Sequence, residues 1–215
     1  MARRAEFLTE YQSGAYGERY LAFVRRVSDA ETSRVLGSTA LTEAVARGLF
    51  KLMAYKDEYE VARLYTDGTF VRRLAERFEG PVKLEFHMAP PLLAERDPVT
   101  GHLKKRSYGS WMLRALGMLA KLRFLRGTML DPFGYTAERK RERELIEEYR
   151  ALVDGLLPAL TATNHETAVA LARLPERIRG FGHVKDVSLA AARIEQEKLL
   201  AVFRSAPPPH AIAAE

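Results

Sequence analysis

The 215-residue sequence contains no cysteine. Disulfides, thiolate zinc sites and cysteine-ligated iron–sulfur clusters are therefore excluded within this polypeptide. Long apolar runs are lacking too. The most apolar stretch, "WMLRALGMLAKLRFL", is interrupted by Arg114, Lys121 and Arg123, and it is shorter than the roughly 20 residues of a bilayer span. In "MARRAEFLTEYQ" no apolar segment follows Arg3 and Arg4, so neither a secretory signal nor a membrane span is expected. A cysteine-free chain of this kind fits a cytoplasmic protein. Histidine is sparse: His87, His102, His165, His183 and His210 are scattered, with no pair at helical ligand spacing. No metal site is expected. His165, within a capping sequence, and His210, near the C-terminus, read as surface residues. There is no G-x-S-x-G elbow, no Walker loop and no H-E-x-x-H, so no catalytic residue is assigned.

What is present is charge, and its position matters more than its total. Residues 102–143 hold eleven Lys/Arg against three acids, while the rest of the chain holds 23 basic against 25 acidic residues. The whole basic excess thus lies in one stretch. A concentration like this serves an acidic protein partner, a phosphate ligand or nucleic acid, or else it forms a solvated helix face. Lys104, Lys105, Arg106, Arg139, Lys140, Arg141 and Arg143 are the candidate docking surface.

The apolar periodicity predicts a mostly α protein with a small β-hairpin inserted over about residues 82–108. Helices are expected over 5–31, 41–65, 69–79, 110–126, 136–157, 163–174 and 184–204. Thr39 is placed at the second helix's N-cap, and "TNHE" is read as a capping box of Thr163 with Glu166. In "PVKLEFHMAPP" Val82, Leu84, Phe86 and Met88 alternate with polar residues, the pattern of a half-buried strand ended by Pro90 and Pro91. "DPVTG" supplies turn residues before a returning strand, "HLKKRSY". No repeat or linker divides the chain, which reads as a single domain over 1–204 with a disordered C-terminal tail at 205–215.

Three stretches invite a chemical reading. In "MAYKDEYEVARLYTDG", Tyr55 with Tyr59 and Lys56 with Glu60 are four apart, and Asp57 with Glu58 is either an acid–base pair or part of a salt-bridged helix face. His87, on the polar side of the predicted strand, is a candidate contact to a ligand. "RGFGHVKD" sets two glycines among Arg179, His183 and Lys185. The glycines read as a corner between helices, with Gly180 left-handed and Phe181 as the cap's apolar contact. The same geometry leaves backbone donors free beside three cationic residues, so an anion or substrate contact stays open as the alternative.

Taken together, "KLMAYKDEYEVARLYTDG", "LEFHMAPPLLAERDPVTG", "LRGTMLDPFGYTAERKRERELIEEY" and "LPERIRGFGHVKD" resemble the C-terminal domain of the fused indolepyruvate ferredoxin oxidoreductase family. The resemblance runs in order from about Phe7 to Phe203. It implies membership of an enzyme that oxidatively decarboxylates aryl 2-oxoacids with thiamine diphosphate, magnesium, iron–sulfur clusters, coenzyme A and ferredoxin. In that family the thiamine-diphosphate and cluster-binding parts precede this domain. The present sequence, opening at Met1 near the start of the match, has no cysteine for a cluster and no G-D-G-type diphosphate motif. The resemblance thus implies an accessory domain that is not catalytic alone. Its expected partners are the thiamine-diphosphate and cluster-binding parts of the same enzyme, and ferredoxin. The alternative is a basic helical module docking an acidic protein or nucleic acid. Against nucleic acid, no helix-turn-helix or RNA-recognition motif is present.

Overall fold

The computed structural model describes residues 1–80, 82–89, 104–180 and 182–205. They form nine α-helices and one two-stranded sheet, the mostly α fold with a small hairpin that the periodicity predicts. They group into two compact units, the first comprising Met1–Tyr55 with the chain from Lys140 onward, the second Lys56–Arg139. No break in composition marks either boundary.

In the first unit the helix expected over 5–31 is two helices, α1 (Ala2–Tyr11) and α2 (Gly14–Arg34). The Ser13 side chain accepts a hydrogen bond from Tyr16 N at 3.3 Å and starts α2. Gly17 then lets the two helices meet, because a Cβ there would lie 2.7 Å from the Ala5 carbonyl. The next predicted helix is divided as well. α3 (Ala40–Met53) stops at Ala54, and α4 (Glu58–Thr66) restarts in the second unit with Asp57 as N-cap, accepting from Glu60 N at 2.8 Å. Tyr55 and Lys56 therefore precede α4 and do not share its faces with Tyr59 and Glu60.

The first unit is completed by α7 (Ala137–Leu156, whose first turn belongs to the second unit), α8 (His165–Ala172) and α9 (His183–Ser205). Their inward stripes join α1–α3 in one continuous apolar core that includes Leu8, Val24, Leu49, Val153, Leu171 and Phe203. Tyrosine hydroxyls serve the carbonyls that helix ends leave over. Tyr11 donates to Tyr55 O at 2.7 Å, Tyr16 to Met53 O at 3.0 Å, and Tyr149 to Ala172 O at 2.8 Å. α8 begins one residue later than the capping-box reading, with Asn164 at the cap position.

The second unit holds α4, α5 (Thr69–Arg77), β1 (Phe86–Met88), β2 (Arg106–Tyr108) and α6 (Met112–Lys121), with a 3₁₀ turn at Arg123–Leu125. The strands are antiparallel, pairing Phe86 with Tyr108 and Met88 with Arg106. The predicted alternation survives over a shorter span, with Phe86 buried and His87 exposed. The "DPVTG" turn, His102, Phe181, His210 and residues 206–215 of the expected tail lie outside the described residues. The core here is small: Ala62, Phe86, Met112, Leu116 and Ala120.

Candidate functional site

Two places concentrate polar chemistry, one in each unit. In the first unit it is the "RGFGHVKD" corner. Gly180 and Gly182 have φ of +90° and +53°, so both lie in the left-handed region. The chain leading into the corner is a 3₁₀ turn, Leu174–Arg177, that ends three residues before Gly180. The corner is still built on the glycine: a Cβ at Gly180 would meet Val184 Cγ1 at 2.6 Å. Ser188 Oγ accepts from Arg179 N at 3.0 Å and lies 2.9 Å from both the Arg179 and Lys185 carbonyls, which share its one hydrogen.

The cations of this corner already have acceptors. Lys185 Nζ lies 2.5 Å from Glu142 Oε1, and Arg179 Nε donates to Glu176 O at 3.4 Å. Lys51, which the sequence reading missed, joins them across more than a hundred residues. Its Nζ donates to Ile178 O at 2.8 Å and Glu176 O at 3.1 Å, where the 3₁₀ turn leaves carbonyls over. Burial, reinforced by the charges of Arg179 and Lys185, lowers the Lys51 pKa. His183 is exposed at the first position of α9. Three cations thus converge on one corner, largely saturated by carbonyls and one carboxylate. Nothing in local sequence pairs Lys51 with residues 176–185. His87 is not part of this group. It lies in the second unit, its Nδ1 3.0 Å from Ser107 Oγ across the hairpin.

In the second unit the distinctive "KDEYE" and "LRGTMLDPF" segments meet. Asp57 caps α4 and also receives Arg126, with Nε at 2.5 Å from Oδ2 and Nη2 at 2.8 Å from Oδ1. Both side chains are almost wholly buried. Asp131 accepts from Tyr59 Oη and from Phe133 N at 3.1 Å each, and from Gly127 N at 2.8 Å. The Arg126 guanidinium lies 5.5 Å from the centre of the Tyr59 ring, and Phe133 meets that ring edge-on. Burial, helped by the Asp131 charge, pushes the Tyr59 hydroxyl well above its ordinary pKa. Glu58 is a separate group. Burial raises its carboxyl against the lowering pull of Arg139, whose Nε is 3.4 Å away. Asp57 and Glu58 are therefore engaged in different ion pairs, not poised together as an acid and a base. This network holds structure: bidentate, buried and closed.

The candidate docking residues are distributed between the units. Lys104, Lys105 and Arg106 are exposed in the second unit, and Arg139 of the same unit is buried against Glu58. In the first unit Lys140 is exposed, Arg143 is half-buried, and Arg141 pairs with Glu144 at 3.2 Å and Glu148 at 3.4 Å. One reading of a surface residue is overturned. His165 is buried, with Nε2 at 2.8 Å from Glu31 Oε1, because the start of α8 packs against α3 rather than facing water.

Glu31 itself is fully buried at the end of α2 and does the capping expected of Thr39. It accepts from Leu41 N at 2.9 Å, Thr42 N at 2.8 Å and Thr42 Oγ1 at 2.6 Å, so α3 starts on a carboxylate supplied from another helix. Burial alone would raise its pKa. The hydrogen bonds from Thr42, Leu41 and His165 outweigh that and hold it at about 2. Among the described residues no group of His, Asp or Glu is arranged to hold a metal ion, and no helix is long and apolar enough to cross a membrane.

The chain belongs to a family of unknown function, DUF6537, which it matches over residues 1–198. No curated protein and no solved structure matches it.

Proposed function

We propose that this chain is the C-terminal accessory domain of an indolepyruvate-type 2-oxoacid:ferredoxin oxidoreductase, cytoplasmic, structural in role and without turnover of its own. The observation that supports this reading is where the resembling blocks fall. "KDEYE" meets "LRGTMLDPF" through Asp57–Arg126 and Tyr59–Asp131, and "RERE" meets "GHVKD" through Glu142–Lys185. The blocks that carry the resemblance are one another's partners inside each unit. Residues of this kind maintain a shape for other parts of an enzyme to use. Thiamine diphosphate, magnesium and the iron–sulfur clusters would be held by those other parts, together with the ferredoxin contact.

The test has two arms. The purified chain, given indolepyruvate, coenzyme A, thiamine diphosphate, magnesium and an artificial electron acceptor, is expected to reduce none of the acceptor and to show no cluster absorption. Added to the thiamine-diphosphate and cluster-binding parts of such an enzyme prepared without this domain, it is expected to co-purify with them and raise their activity. Turnover by the chain alone overturns the accessory role. Failure to associate overturns the membership.

A further inference from the structure

The last helix, α9, carries two apolar stripes. The inner one, with Leu189, Ala192 and Phe203 buried, faces the core of the first unit. The outer one stands in water: Val184, Val187, Ala191, Ile194, Lys198 and Ala201 are all exposed. Their positions are separated alternately by three and four residues. That is the narrow two-in-seven seam of a coiled coil, not the wider stripe of a helix lying on a core. Val187 is 70%, Ile194 57% and Val184 51% exposed. Scattered single apolar residues on a surface need no account, but a seam that keeps its register along a helix does.

The composition of the seam selects what covers it. A lipid surface calls for a broad apolar face and a polar face rich in Lys and Arg. Here the seam is narrow, and Lys185, Arg193, Lys198 and Arg204 are offset by Asp186, Glu195 and Glu197. Nucleic acid calls for unopposed cations or for rings on which bases stack, and no Phe, Tyr or Trp stands on this outer face. A second α9 fits. Laid antiparallel about a two-fold axis, Ala191 of one copy faces Ile194 of the other, Val184 faces Ala201, and Val187 faces the stem of Lys198. Each layer sets a smaller side chain against a larger one, as interdigitating helices require. The same seam laid parallel would leave a void between two Ala191 side chains, crowd two Ile194 side chains, and press Lys198 against Lys198. In the antiparallel pair the two lysines stand eleven positions apart, about 16 Å, and each ammonium reaches water past Val187 on its flexible stem. Size and charge thus select both a second copy and its direction.

We infer that the outer face of α9 is a homodimer seam, closed by the α9 of a second copy of this chain running antiparallel to it. This does not rest on the accessory-domain reading.

The test is sedimentation equilibrium of the full chain. Its mass is expected to rise with concentration through the micromolar range, from the monomer's 24.3 kDa toward twice that value. Ile194→Asp and, separately, Val187→Asp put a carboxylate into the seam and should each raise the dimer dissociation constant by on the order of tenfold or more. Both side chains are exposed in the single chain, so circular dichroism should not change. Met118→Asp, at an exposed position on α6 in the second unit, should leave association as it is. Because the chain has no cysteine, introduced thiols report the direction of pairing. Val184→Cys mixed with Ala201→Cys should cross-link through a short bismaleimide. Ala201→Cys alone should not, since its two thiols would lie about 26 Å apart along the pair. Cross-linking by Ala201→Cys alone overturns the antiparallel pairing. A monomer mass at every concentration leaves the seam to some other protein and overturns the inference. It is also overturned by a dimer that Ile194→Asp and Val187→Asp leave intact, or one that Met118→Asp dissolves.

Discussion

In the first unit, apolar side chains from α1–α3 and α7–α9 form one continuous core, and polar groups inside it serve as caps: Glu31 for α3, Tyr149 for α8. In the second unit the apolar core is slight, and the start of α4 is joined to the loop at 126–133 by Asp57–Arg126 and Tyr59–Asp131. The difference follows from what each segment has to bury. A helix with a wide apolar stripe orders itself by burial, with hydrogen bonds completing the ends. The loop "RGTMLDPFGY" has few inward apolar residues, so it is fixed by directed contacts to a carboxylate and a guanidinium. Such contacts specify one geometry and are costly to break singly.

That contrast ranks the expected effects. Arg126→Ala leaves Asp57 buried without its counter-charge and should cost about 3–5 kcal/mol. Urea unfolding should show the loss, and amide exchange should place it within Lys56–Arg139. Glu31 should give the next largest effect, visible as pH dependence. Its folded pKa, about 2, lies below the ordinary value of 4.5, so its contribution is complete above pH 4.5 and is lost as pH falls toward 2. At 1.36 kcal/mol per pKa unit, the contribution is on the order of 3 kcal/mol. Glu31→Gln should therefore destabilise at pH 7 and flatten the acid limb of stability against pH.

Gly48 sharpens the comparison from the apolar side. A Cβ there would lie 2.7 Å from Tyr149 Oη and 2.8 Å from the Ala172 carbonyl. Gly48→Ala should cost ~1–3 kcal/mol through overpacking, although alanine is the better helix former by about 1 kcal/mol. Gly155→Ala, on α7 with nothing near its Cβ, should be neutral or stabilising in the same thermal melt. The smallest effect belongs to the corner. Gly180→Ala places a side chain at φ +90° and against Val184, for about 1–2 kcal/mol. A neutral outcome there would remove the glycine's structural role.

The long amphipathic helices were legible because their period is local: α7, α9 and α5 lie within a few residues of their expected positions. The breaks before Ser13 and Asp57 were not, since apolar periodicity carries across them on either side. A signal for the second did exist, because Asp57 stands three residues before Glu60 in an acid-rich first turn. The Glu31–His165 and Lys51–Ile178 contacts join residues more than a hundred positions apart, and no local pattern encodes them. Thr39 looked like a cap by residue type. The fold gave that task to a buried carboxylate from α2.

The contrast between the units turns on whether the buried charge itself, rather than lost packing, is what Arg126 supplies. Urea denaturation of Asp57→Asn/Arg126→Met beside Arg126→Ala measures this directly. Asparagine keeps the cap on α4 while removing the charge, and methionine keeps much of the arginine stem's volume. The double variant is expected to recover most of the stability that Arg126→Ala loses. A double variant as unstable as Arg126→Ala would contradict the account, because the second unit would then depend on apolar packing like the first.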